Sequence, residues 1–326
     1  MFRKKEQKFV NQYVISHFSN TQIEEELLKM DIFPIENAIE KEQSKFIELQ
    51  DLKLKGELNF GLKSNEIDLG RVYSNLKQDI TYLLGLSPNI PDSEFRMNTS
   101  FNFPAIGGTL IEGLGLLYVG LYSLANLSGI IDFNPIDFVL PGAHALVGDI
   151  HRRTMMPLGS MYNQKTKKIM LGNKSEADLI PAFAHELDHH VLVENGIPYV
   201  VISKADKSYV LFHEGHAKGI QRIISGQYFK NSGNEAYLHD VSKTDLMELK
   251  KTYNWLCKKN KLHPKSELST SKVFKGTNKL FYHMFGSSER HVKGSAFFYL
   301  LEQEQGNDVY KNILRDPEKV FSFRDL

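Results

Sequence analysis

The segment around residue 185 constrains this chain more than any other. Asp178 offers a side-chain cap, Pro181 then falls in a first turn where its missing N–H goes unneeded, and Asn195-Gly196 followed by Pro198 closes the run. The pattern predicts a helix from Asp178 to Asn195. Ser175 is a rival cap that would put Pro181 deeper in the helix. Ile180, Phe183, Leu187 and Val191 recur at helical spacing and predict one packed face. Within this helix stands His185-Glu186-Leu187-Asp188-His189, an HExxH sequence. Residues i and i+4 project from one side, so two imidazoles can converge on one tetrahedral ion. Glu186 lies about 100° further round, too far to join them easily as a ligand but able to reach a water beside them. One face is expected to pack and the other to bind. His190 turns away by the same angle and reads as a supporting or packing residue.

Composition narrows what else can hold a metal. Cys257 is the single cysteine of 326 residues, which rules out an intrachain disulfide and a cysteine-held zinc, so any ligand has to be His, Asp or Glu. With 41% hydrophobic and 24% charged residues the chain is neither disordered, collagen-like nor a multi-span membrane protein. Forty Lys and Arg against 39 Asp and Glu leave a charge of +1, so no overall field draws nucleic acid, and no such partner is expected. The basic start of the chain is followed by charges at Glu6 and Lys8 and by no apolar run, which makes a cytoplasmic location the expectation. Residues 113–131 are uncharged over a length that reaches the lower limit for a membrane span. Four glycines, two serines, Asn126 and two tyrosines dilute that stretch, Glu112 abuts it, and Lys/Arg anchors are missing on both sides. A buried core helix is therefore expected there, with membrane contact as the alternative.

Residues 1–95 are charged and carry helical runs such as TQIEEELLKM and RVYSNLKQDITYLLGL. They read as a helical N-terminal region of unknown role. SPNIPDSE, with Pro88 and Pro91, breaks the pattern and marks a boundary before a catalytic domain spanning 96–326. SMYNQKTKKIMLGN has apolar residues on either side of a polar turn at 164–167 and predicts a hairpin or edge strand. Further helices are expected from Tyr209 to Ser225, stopped at Gly226, and from Val292 to Gln305, stopped at Gly306. A short last one, capped by Asn307, ends before Pro317. No internal repeat is present. His144, Asp149 and His151 cluster in sequence but fit no helical zinc spacing, and they read as loop or surface residues.

Two histidines leave an ion under-coordinated, so a catalytic site requires a third protein ligand and an open position for water. The nearest candidate is Glu214, within His213-Glu214-Gly215-His216-Ala217 on the next expected helix, and His213 and His216 are its rivals. Here the sequence resembles the gluzincin group of zinc metallopeptidases, in which HExxH is followed some tens of residues later by a helical Glu, frequently as Glu-Gly-x-Ala. Small residues would let two ligand-bearing helices approach closely. The longer HExxHxxGxxH pattern of the metzincins is absent, because Glu194 and Asn195 end that window. The chain departs from the thermolysin-like form of the group at Lys218, which stands where an acidic residue would orient a ligand histidine, so another carboxylate or carbonyl has to do so.

The resemblance covers residues 160–317 in outline and is specific at the HExxH and the Glu-Gly-x-Ala. It implies an α+β, zincin-like fold, with a small sheet beside the HExxH helix and a mainly helical lower half. It also implies an edge strand at SMYNQKTKKIMLGN that pairs with extended substrate. One zinc ion would sit on His185, His189 and Glu214, with Glu186 as general base and His291, three residues before Gly294, as donor to the oxyanion. Tyr282 and His283 are alternatives for that last duty. The implied activity is hydrolysis of peptide or protein substrates. A zincin-fold protein without peptidase activity, whether a binding scaffold or a hydrolase of another bond, is the alternative, as is a membrane-associated protease. The sequence does not specify the oligomeric state.

Overall fold

The computed structural model describes residues 18–63, 66–91, 94–97, 160–164, 166–172, 174–197, 209–269 and 289–315, the last stretch without the side chains of 289–291. The architecture is α+β, with eight helices and one three-stranded sheet among the described residues. The helices are α1 (Asn20–Lys29), α2 (Phe33–Leu54), α3 (Leu69–Leu84), α4 (Glu176–Glu194), α5 (Val210–Ser232), α6 (Ala236–Lys259), α7 (Glu289–Gln305) and α8 (Val309–Arg315). The strands are β1 (Phe95–Met97), β2 (Met161–Asn163) and β3 (Lys168–Leu171), in the order β1-β3-β2, which leaves β2 at an edge. The chain divides into two compact units, one of residues 1–96, 162–169 and 174–326, the other of 97–161 and 170–173. The candidate site lies in the first.

Local signals account for several helix ends. Ser19 and Gln22 form a reciprocal capping box at α1. Asp68 accepts the Arg71 amide at the start of α3, and Gly85 ends that helix at φ 68°, a left-handed conformation that glycine adopts without steric penalty. The buried stripe of α3, Val72, Tyr73, Leu76, Ile80 and Leu84, repeats at helical spacing. Its Tyr73 ring meets Phe95 of β1 at 4.9 Å, and Phe95 meets Phe183 of α4 at 5.4 Å, so an aromatic cluster fixes β1 against the HExxH helix. At the centre of the unit α5 packs against α4, α6 and α7, while α2 lies along α6.

Two helix ends differ from the sequence expectation. Helix α5 runs through Gly226 to Gly233, which is left-handed at φ 67°. Helix α4 starts at Glu176 with Ser175 as its N-cap, so Pro181 is internal. The added first turn is satisfied from outside the helix: the amides of Glu176 and Ala177 donate to the carbonyls of Leu62 (2.9 Å) and Phe60 (3.2 Å). The Glu176 carboxylate accepts from the Leu62 amide. Asp178, expected to cap the helix, instead accepts from the Ser175 hydroxyl at 2.7 Å. Residues 113–131, the cluster of His144, Asp149 and His151, and both Tyr282 and His283 lie outside the described residues. Among the described residues no helix is long and apolar enough to cross a membrane.

Candidate metal centre

Helix α4 is buried along nearly its whole length, including His185, Glu186, Asp188 and His189. The face expected to bind is therefore not an open surface. It turns toward α5, and the site is an interior one.

The two imidazoles converge there. His185 Nε2 and His189 Nε2 are 3.1 Å apart, with ring planes at 89°. Glu214, near the start of α5, brings its carboxylate oxygens to 3.4 Å from His185 Nε2 and 3.6 Å from His189 Nε2. Three ligand atoms from these residues lie within 4.8 Å of one another. Ligands held about 2.0–2.2 Å from a tetrahedral ion stand roughly 3.3 Å apart, so these edges have the size zinc requires. Two imidazole nitrogens and one carboxylate are a donor set that could hold a metal ion. His185 Nδ1 is buried and has no hydrogen-bond partner among the described residues.

The rivals of Glu214 are engaged elsewhere. His213 Nε2 stands 3.1 Å from the Ile197 carbonyl and donates to it, and burial pushes its pKa down to about 3, which keeps the ring neutral. His216 Nδ1 donates to Asp188 Oδ2 at 2.8 Å, with both side chains fully buried. The glycines near Glu214 serve a different contact from the expected one. A Cβ at Gly215 would overlap the Gly294 carbonyl and the Phe298 ring, one at Gly294 the Leu211 carbonyl, and one at Gly219 the Tyr310 ring. The glycine contacts are thus between α5 and the C-terminal helices.

Glu186 is buried beside the three ligands, and that burial, reinforced by the Glu214 carboxylate, pushes its pKa up to about 7 against the opposing pull of His185. The backbone N–H of Tyr162 on edge strand β2 donates to the Glu186 carboxylate. The Tyr162 hydroxyl lies 3.3 Å from His190 Nδ1, and the two rings pack edge to face at 5.6 Å. His190, the residue just past the motif, thereby ties the strand to the helix. Burial lowers the pKa of His190 and raises that of Tyr162 to about 12, so both are neutral near pH 7. Sequence reasoning missed Tyr162, and its only signal was membership of the expected hairpin. His291 has its backbone in the first turn of α7, one turn before Gly294, and its side chain lies outside the described residues.

No protein-family profile, curated protein or solved structure matches the chain.

Proposed function

We propose that the protein is a zinc-dependent metallopeptidase of gluzincin type, with a zincin-like catalytic region. The observation that carries this reading is the convergence of His185, His189 and Glu214 from two helices at the spacing of a tetrahedral ion, with a buried carboxylate, Glu186, beside them. Zinc bound by the three residues would supply Lewis acidity, polarising a scissile carbonyl and making water nucleophilic at neutral pH. His185 and His189 would hold the ion through imidazole nitrogens and Glu214 through its carboxylate. Glu186 accepts the proton of the attacking water and delivers it to the departing amine. Burial favours the protonated form of this carboxylate and a bound cation would favour the charged one, a balance suited to both transfers. The Tyr162 amide orients that carboxylate, and edge strand β2 offers backbone groups to an extended peptide. The resemblance to the group adds His291 as donor to the developing oxyanion.

The test begins with metal content. The purified protein should hold about one zinc per chain, and His185→Ala or His189→Ala should lose it. Full retention in both variants would overturn the ligand assignment and leave the three side chains as a hydrogen-bonded cluster. With zinc present, digestion of a peptide library should give cleavage products that vanish in Glu186→Gln. A loaded protein that cleaves no peptide would overturn the peptidase reading alone.

A further inference from the structure

We infer that the buried Asp188–His216 pair is a positioning device for the metal centre, fixing the roll of α5 about its own axis so that Glu214 reaches the ion beside His185 and His189. The inference rests on the zinc reading above. Asp188 occupies a wildcard position of the HExxH and precedes His189 directly, while His216 follows Glu214 by two. The 2.8 Å bond between them joins the two helices that carry the ligands. At about 100° per residue, Glu214 and His216 stand on opposite flanks of α5. His213, Ala217 and Ile220 occupy the arc between them, and all three are fully buried. His213 packs its ring 5.8 Å from that of His189, which identifies that arc as the one pressed on α4. On α4, Asp188 is likewise offset from His185 by about 60°. The helix contact is thus pinned on one side by the pair and met on the other by the ligands.

A contact pinned on one side only is free to roll. With side-chain ends about 6 Å from a helix axis, roughly 10° of roll shifts a carboxylate by about 1 Å. That is half a zinc–oxygen bond, enough to separate a ligand from a bystander. Ala217 and Ile220 give no directional resistance to such a rotation, because hydrophobic contact is non-directional, and the bond of His213 goes to the Ile197 carbonyl, past the end of α4 rather than to the helix itself. The His216 ring is itself fixed by Phe212, Phe298 and Tyr310, with centroids 5.7, 5.9 and 5.2 Å away, so the bond has a rigid donor. Stability alone is a poor account of the pair, since an apolar pair of similar volume often replaces a buried ion pair without loss.

That last point supplies the variant. Asp188→Leu combined with His216→Phe removes the directional bond and leaves no buried charge behind. Zinc affinity is measured by competition with a chromogenic chelator, on the full chain, in four proteins: wild type, the double variant, and each of these carrying Glu214→Gln. The double variant should fold and bind zinc about 10 to 100-fold more weakly. Glu214→Gln should cost at least about 10-fold less affinity in the double variant than in the wild type, because the carboxylate is already displaced there; a role in folding alone would leave that cost unchanged. His216→Asn, polar but too short to reach Asp188, gives the same cycle if the apolar pair does not fold. Equal Glu214→Gln costs in the two backgrounds would overturn the inference while leaving the zinc reading intact. A wild-type chain without zinc affinity would overturn both.

Discussion

At Glu186 two substitutions separate the roles of side chain and support. Glu186→Gln keeps the shape and the bond from the Tyr162 amide but cannot take a proton. It should retain zinc while kcat falls by a factor on the order of 10² or more, measured on whichever peptide the library selects. Tyr162→Phe leaves the amide in place and removes only the hydroxyl that meets His190. Its kcat should fall about 10-fold, in the range of supporting partners, with KM within about twofold and zinc content unchanged. Stability should drop by about 0.5–1.5 kcal/mol for one part-buried hydrogen bond. A Tyr162→Phe enzyme with unchanged kcat would remove the hydroxyl contact to His190 from the support of the base and leave the amide as the strand's contribution. These residues were unequally legible in the sequence. His185, Glu186 and His189 share one helix, so their mutual placement follows from its period, whereas the need for a third ligand left Glu214, His213 and His216 open and the resemblance to Glu-Gly-x-Ala favoured Glu214. Tyr162, Asp188 and the pairing of His216 depend on contacts between elements, for which no spacing rule exists.

Helices α5 and α7 cross at glycine, and substitution there acts on both elements. At Gly294 a methyl group would meet the Leu211 carbonyl, part of the backbone of α5, which cannot move aside as a side chain could. Gly294→Ala should destabilise by about 1–3 kcal/mol or more through overpacking and weaken zinc binding as α5 shifts, both measurable on one preparation. Gly226, in the same helix α5, has nothing within 4 Å of a built Cβ and no left-handed backbone. Gly226→Ala should therefore stabilise by about 0.5–1 kcal/mol in a denaturant titration, the usual gain of alanine over glycine inside a helix. A destabilised Gly226→Ala would mean that the crossing constrains more of α5 than the Gly215–Gly294 contact. The contrast explains why helix ends were read imperfectly. Glycine predicts a stop where the chain has no reason to continue. Beyond Gly226 the helix has a reason, because the ring of Tyr228 packs on that of Tyr237 of α6 at 5.3 Å. Likewise α4 gains its first turn from loop carbonyls more than a hundred positions earlier in the chain, partners that a reading of adjacent residues does not contain. The Gly306 stop is local and was legible, the glycine being left-handed at the end of its helix.

The N-terminal helices, read from the sequence as a region of unknown role, belong to the same compact unit as the candidate metal centre, and buried polar groups make the attachment. Glu42 of α2 accepts from Tyr299 Oη of α7 at 2.8 Å and from Ser242 Oγ of α6 at 2.9 Å. Glu36 accepts from the Tyr253 hydroxyl of α6 and pairs with Lys265 at 2.6 Å. Deeper in the same unit Arg222 of α5 bridges Asp245 of α6 and Glu302 of α7, at 3.0 and 2.9 Å. Every one of these side chains specifies its partner by direction as well as by burial, so α2 is held in one register on α6 and α7. Glu42→Ala would leave two buried hydroxyls without their acceptor, at a cost of about 1–3 kcal/mol for each. A loss of that size should lower the melting temperature by several degrees, since each kcal/mol shifts Tm by about 2–4 °C in a unit of this scale. Trp255 is the single tryptophan and sits half-buried on α6 with Lys293 of α7 over its ring at 4.4 Å, so its fluorescence reports on the contact between α6 and α7, the two helices that Glu42 joins to α2. In Glu42→Ala the Trp255 transition and zinc release should move down together, as expected of one cooperative unit. Loss of helical circular dichroism at a lower temperature, with the Trp255 transition and zinc release left at their wild-type midpoints, would instead make α1 and α2 a separable cover.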